Sequence, residues 1–198
     1  MIPRNLQITI LLLIISIFLA GGYILHLKSE AEKIKLSTDS ASRTIATPLS
    51  GPKEPIQLVI AYDEDGVVRV KEMSANLPIE PAARSQELLR VLFKEYLQKP
   101  SPHPLGEGSD VRAVFMMTNG TCIVDLNADF AAHHPSGILM EQLSLVSMTQ
   151  TLMLNFPYVK KVKFLVDGHT PETLAGHLDL SPIFTSEQVA QMMQELKY

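Results

Sequence analysis

The chain of 198 residues has no tryptophan, one cysteine, ten glycines and no surplus of positive charge. A single cysteine excludes an intramolecular disulfide framework and any Cys-rich zinc or iron–sulfur centre. The glycines are too few and too irregularly spaced for a phosphate loop or a dinucleotide fingerprint. With 17 basic against 21 acidic side chains the formal charge is −4, so no basic surface for nucleic acid is expected. Nucleophile motifs are missing too, since Ser136-Gly137 has no G-x-S-x-G context. One further absence is local. The first 27 residues hold a single charged side chain, Arg4, while all 21 acids and 16 of the 17 bases follow.

What fills that charge-poor start is apolar: from Leu6 to Leu27 the chain reads LQITILLLIISIFLAGGYILHL. As a helix this stretch would span about 33 Å, enough for a bilayer core. It predicts a short tail and a transmembrane signal-anchor over residues 1–28, with the lipid bilayer as partner. Leu19-Ala20-Gly21 begins like a lipobox, but Gly22 stands where the lipid-accepting cysteine would be. The spacing of Ala20 and Gly22 suits a signal peptidase, so a cleaved leader is the alternative. The apolar run through Leu27 exceeds the usual core of about 7–15 residues and favours an uncleaved anchor. Arg4 and the terminal amine, set against Lys28, Lys33, Lys35 and Arg43, mildly favour a body on the cytoplasmic side.

Residues 29–55 read as a flexible linker, because eleven of the 19 residues over 37–55 are Ser, Thr, Pro or Gly. A globular domain is expected over residues 56–184 and a terminal helix over 185–198. Alternation predicts a strand over 56–62, an acidic turn at Asp63-Glu64-Asp65-Gly66, and a returning strand over 67–73. The three acids do not follow the EF-hand pattern, so a hairpin turn is the reading kept. Pro81 opens a helix to about Gln98 with Leu88, Leu89, Leu92, Phe93, Tyr96 and Leu97 on its apolar stripe. Asn119-Gly120 joins strands over 111–118 and 121–126, and a two-residue turn there pairs Phe115 with Val124 and Met117 with Cys122. A long helix is expected over 137–156, its polar residues Glu141, Ser144, Thr151 and Asn155 lying opposite its apolar side. A strand over 159–166, an extended segment and a helix over 186–196 complete a β-β-α-β-β-α-β order. The expected class is α+β: one N-terminal transmembrane helix, a tether, then helices packed on a mixed sheet.

The predicted hairpin register places Ala113, Phe115 and Met117 on the core face. It leaves Val114, Met116 and Ile123 on the opposite, half-apolar face, which is the candidate binding surface. Chemistry has less support. His133 and His134 are adjacent rather than four apart, so they do not form a helical zinc pair. His169 and His177 could meet Asp129, Asp167 or Asp179 only through folding. Asp125, Asp129 and Asp167 read as strand-end and turn formers that accept backbone N–H bonds. Cys122, mid-strand and facing the core, reads as an inert thiol. No catalytic residue, metal ligand or cofactor is expected.

Three stretches taken together carry a resemblance: Val124-Asp125-Leu126-x-x-Asp129-Phe130 before a long amphipathic helix, then Val162-x-Phe164-Leu165-Val166-Asp167-Gly168, then Leu174-x-Gly176-His177-x-Asp179-Leu180-Ser181. In this order and spacing they resemble the GerMN domain family of sporulation and spore-germination proteins, over residues 56–184. The resemblance implies a non-enzymatic binding or scaffolding module in cell-envelope assembly. It also implies placement outside the cytoplasm, overruling the charge count: an inner-membrane, single-pass protein with a cytoplasmic tail and a periplasmic or equivalent domain. Implied partners are other envelope proteins or peptidoglycan, and self-association into a homo-oligomer. Asp167, His177 and Asp179 join Val114, Met116 and Ile123 as candidate binding residues. The competing reading is a cell-wall hydrolase or peptidoglycan-fragment binder using this Asp/His cluster. Residues 56–184 carry 10 bases against 15 acids, so an anionic lipid surface would not hold the domain by charge and the helix is expected to do so.

Overall fold

The computed structural model describes residues 51–196. Strands β1 (Lys53–Tyr62) and β2 (Val67–Asn76) form an antiparallel hairpin, closed by the Asp63–Gly66 turn. Gly66 takes φ 63°, a left-handed conformation that a glycine adopts without a steric penalty. Helix α1 (Pro81–Leu97) starts on Glu80, whose carboxylate accepts from the N–H groups of Ala82 and Ala83, while Pro81 fills the first-turn position where no N–H is needed. Leu88, Leu89, Leu92, Phe93 and Tyr96 are buried as the periodicity predicts, whereas Leu97 faces solvent.

Strands β3 (Val111–Met116) and β4 (Thr121–Leu126) form the second hairpin, in a register one residue away from the expected one. Phe115 pairs with Ile123 and Met116 with Cys122. The turn contains three residues, with Gly120 at φ 78° and Met117 N–H donating to the Thr121 carbonyl. This is a type I turn extended by a glycine bulge, which Asn-Gly also suits. A one-residue slip moves every side chain to the other face. Val114 and Met116 therefore point into the core, and Phe115 and Met117 point out of it.

After the short helix α2 (Ala128–Ala132), α3 (Ile138–Asn155) leads to β5 (Lys161–Val166), which runs parallel to β4. The two-residue strand β6 (Phe184–Thr185) pairs with β5, and Thr185 with Gln188 forms a capping box for α4 (Ser186–Glu195). The order β3-β4-β5-β6 makes a mixed four-stranded sheet, separate from the β1–β2 pair. A single mixed sheet was expected, and α3 explains the division. Its Ser147, Thr151 and Asn155 occupy the free edge of β1, where another strand would otherwise pair. Ser147 Oγ donates to the Val59 carbonyl (2.6 Å), Thr151 Oγ1 accepts from Val59 N–H (2.9 Å), and Asn155 bonds both backbone groups of Gln57. Tyr96 OH accepts from Ala61 N–H (2.8 Å) and extends the row. These polar residues repeat every four positions, so they form one stripe along the helix. The stripe is directed at a strand, not at water.

The membrane helix expected within residues 1–28 lies outside the described residues. Among the described residues no helix is long and apolar enough to cross a membrane. The longest, α3, has 18 residues but carries Glu141, Ser144, Ser147 and Thr151, whose side chains are committed to protein hydrogen bonds. Over the described residues the fold is therefore corrected to the β-β-α-β-β-α-β-like domain, with no spanning helix among them. The lipid-bilayer partner, the transmembrane character and the single-pass inner-membrane topology rested on that helix, and the periplasmic side on the family resemblance; none of them has support among the described residues.

Candidate functional site

The six expected binding residues do not form one surface. Val114 is 5 % exposed, and Met116 packs against the core with its sulfur 4.0 Å from Ser85 Oγ. The register shift buries Val114 and turns Met116, half-buried, toward the core. Ile123 lies on the other face of the sheet, half-buried.

Asp167, His177 and Asp179 each serve a separate stretch of backbone. Asp167 adopts φ 49° in the turn after β5, a left-handed position that aspartate tolerates better than most residues. The next residue, Gly168, donates its N–H to Asp125 Oδ1 (2.8 Å), and Arg112 holds the other oxygen of Asp125 (3.0 Å). Asp179 accepts from the N–H and hydroxyl of Ser181, and these two bonds hold its carboxyl below the usual range. His177 Nδ1 lies 3.0 Å from Glu141 Oε1. Among the described residues no group of three or more His, Cys, Asp or Glu side chains could hold a metal ion.

Glu141 is the organising residue of this region, and sequence reasoning missed it. Fully buried at the start of α3, its Oε2 accepts from the N–H groups of Ala175, His177 and Leu178. Burial alone would raise its pKa, but these donors and the His177 ring outweigh burial and hold it below the usual carboxylate range. The loop over residues 172–180 is thus wrapped around a carboxylate supplied by the protein itself.

A second buried group was equally unmarked. Asp63, His103 and Ser144 are linked by contacts of 2.5 Å each, in the order of a hydrolytic triad, and His134 Nε2 lies 2.6 Å from the same Ser144 oxygen. The likeness to a triad ends there. Ser144 sits within α3 and is 2 % exposed. The crevice beside it, lined by Phe93, Tyr96, Leu105, Phe130 and Met148, leaves no room for a water-sized molecule. A nucleophile needs an approach path and a place for the developing oxyanion, and this site has neither. The contacting pairs lie 10 to 41 positions apart along the chain, so no motif could have signalled them.

The outer face of the four-stranded sheet is one place where large apolar side chains are exposed. The pairings put Ala113 and Phe115 of β3, Ile123 and Asp125 of β4, and Lys163 and Leu165 of β5 on it. Phe115 and Met117 are each 48 % exposed there. Lys163 Nζ donates to the carbonyls of Leu180 and Ser181, which folds that loop over one margin.

The buried Ser144 group thus has no room beside it for a water-sized molecule, while the outer face of the four-stranded sheet is half apolar. The sequence profile of the family described as sporulation and spore germination ("Germane") matches residues 59–172. The chain belongs to this family, whose domains are non-catalytic modules. Among solved structures it is similar to a putative lipoprotein from Clostridium perfringens, with 22 % identity, a TM-score of 0.49, and coverage of 75 % of this chain and 97 % of that one. It is also similar to the first GerMN domain of the sporulation protein GerM from Bacillus subtilis, with 21 % identity, a TM-score of 0.48, and coverage of 68 % and 98 %. For the tandem GerMN domains of the same GerM protein the values are 22 %, 0.48, 68 % and 46 %. None of the curated proteins matches the chain significantly.

Proposed function

We propose that the domain is a protein-binding, scaffolding module of a sporulation-type assembly, and that the outer face of β3-β4-β5 is its contact surface. The observation that carries this reading is the solvent exposure of Phe115 and Met117 beside the half-buried Ile123 and Leu165. Large apolar side chains grouped on one sheet face are costly to leave in water, and such patches are where partners dock. Arg112, Lys161 and Lys163 lie on or beside this face, in a domain whose overall balance is acidic. The partner that fits is a protein surface with apolar groups at its centre and carboxylates at its rim.

A photo-crosslinking residue placed at Phe115 tests the reading, with one at Val70, exposed on β2, as control. Covalent capture of a protein from position 115 and not from position 70 is the expected result. Equal capture from both positions, or none from either, would remove the surface from consideration. The substitution Phe115→Asp should abolish the capture while changing folding stability by less than about 0.5 kcal/mol, whereas Val114→Asp should cost about 3–5 kcal/mol by burying an unpaired charge. Urea denaturation distinguishes the two.

A further inference from the structure

The buried group around Ser144 is a line of four contacts. His103 Nδ1 meets Asp63 Oδ1 (2.5 Å), His103 Nε2 meets Ser144 Oγ (2.5 Å), Ser144 Oγ meets His134 Nε2 (2.6 Å), and His134 Nδ1 meets the Pro135 carbonyl (2.8 Å). Each contact needs one proton between its heavy atoms. Both ends are acceptors, because an ionised carboxylate and a peptide carbonyl have no proton to give. The interior supplies one hydroxyl and two neutral imidazoles, which together carry three protons. Four contacts therefore share three protons, and one contact would set two lone pairs face to face. His103 is fully buried and the crevice beside Ser144 is closed. Within the line only the Asp63 end, its side chain 20 % exposed, meets solvent, so a lone-pair clash at the interior contacts has no water to relieve it.

We propose that the folded domain binds one additional proton in this line, making Asp63, His103, Ser144 and His134 a single-proton staple. It fastens the β1–β2 turn and the loop over residues 99–105 onto α3. With the proton added every contact is a hydrogen bond, and the charge is balanced by Asp63. Other polar groups facing the line are Tyr96 of α1, edge-on to the His103 ring at 4.8 Å, and Glu141 of α3, which is already paired with the loop over residues 172–180. From α2 only the Phe130 ring faces it, 5.3 Å from the His134 ring. Burial lowers the pKa of His134.

Nuclear magnetic resonance of the intact, isotope-labelled chain at pH 8 tests this directly, because an ordinary imidazole titrates near ~6.5 and is neutral there. The protons on the Asp63 carboxyl and the four ring nitrogens of His103 and His134 are counted. Three are expected, and two would overturn the proposal. Asp63→Asn keeps an acceptor oxygen but removes the balancing charge, so its count should fall to two. A count of three in that variant would equally overturn the assignment. Above pH ~6.5 the unfolded chain has released this proton while the folded chain retains it. Raising the pH must then increase the wild-type unfolding constant by about tenfold per unit more than that of Asp63→Asn. Equal slopes would contradict the staple, and if Asp63→Asn fails to fold, the wild-type proton count decides alone.

Discussion

Glu141 is a buried carboxylate whose oxygens are enclosed by donors, so its charge is held by hydrogen bonds from backbone N–H groups and by the His177 ring. Glu141→Gln would turn one oxygen into an NH2 group facing other donors. An expected loss of about 3 kcal/mol follows from leaving those groups unpaired, measurable by urea denaturation. The sign of the pH dependence follows as well. A carboxyl with a lowered folded pKa contributes stability that is present above its unfolded value, near ~4.3, and is lost as pH falls through the folded value. Thermal melts between pH 5 and pH 3, about the unfolded value, should therefore show wild type losing stability that Glu141→Gln never had. At this scale the sequence was legible where a residue shapes its own stretch of chain, as with Asp167 in the turn after β5. It was silent about Glu141 because the donors lie 34 to 37 positions away, in a loop with no regular period.

Element boundaries could largely be read from periodicity and punctuation: Pro81 opens α1, Pro157 follows α3, and Asn119-Gly120 turns the second hairpin. The faces of those elements were harder to read. Asn-Gly supports both a two-residue turn and a three-residue turn with a bulge, and the two differ by a one-residue shift in pairing. Both faces of β3 are half apolar, so alternation could not arbitrate, and packing of Val114 and Met116 against the core decided the outcome. The polar side of α3 posed the same difficulty. Ser147, Thr151 and Asn155 spell a solvated face by composition, yet they meet a strand roughly 90 residues earlier in the chain. Thr151→Val keeps the shape and removes the acceptor of Val59 N–H. It should cost about 1–3 kcal/mol, read from the urea midpoint, because that group would be buried without a partner.

Over the whole molecule, the acidic balance, the absence of catalytic motifs and the family resemblance were all available before any coordinate. What could not be read was which surface stays open, because that depends on how two sheets share three long or medium helices. Cys122 offers a probe of the assembled core. It is fully buried on the central strand β4, and burial pushes its thiol up to about 12. A thiol reagent at neutral pH should modify it only at the rate of global unfolding, accelerating with denaturant as the unfolding rate does. Rapid modification of the native protein would mean that β4 is accessible without unfolding. The row of side chains that α3 lays along β1 has a consequence for how such molecules behave when crowded. An uncovered strand edge is a template on which another chain can add, and chain can follow chain without limit. On β1 that template is filled by side chains that end the hydrogen-bond ladder and cannot extend it. The opposite edge, on β2, carries Arg69, Lys71 and Glu72, whose charges discourage a like strand from settling there. The small sheet is thus capped on one side and guarded on the other, which discourages growth of a shared sheet through either of its edges.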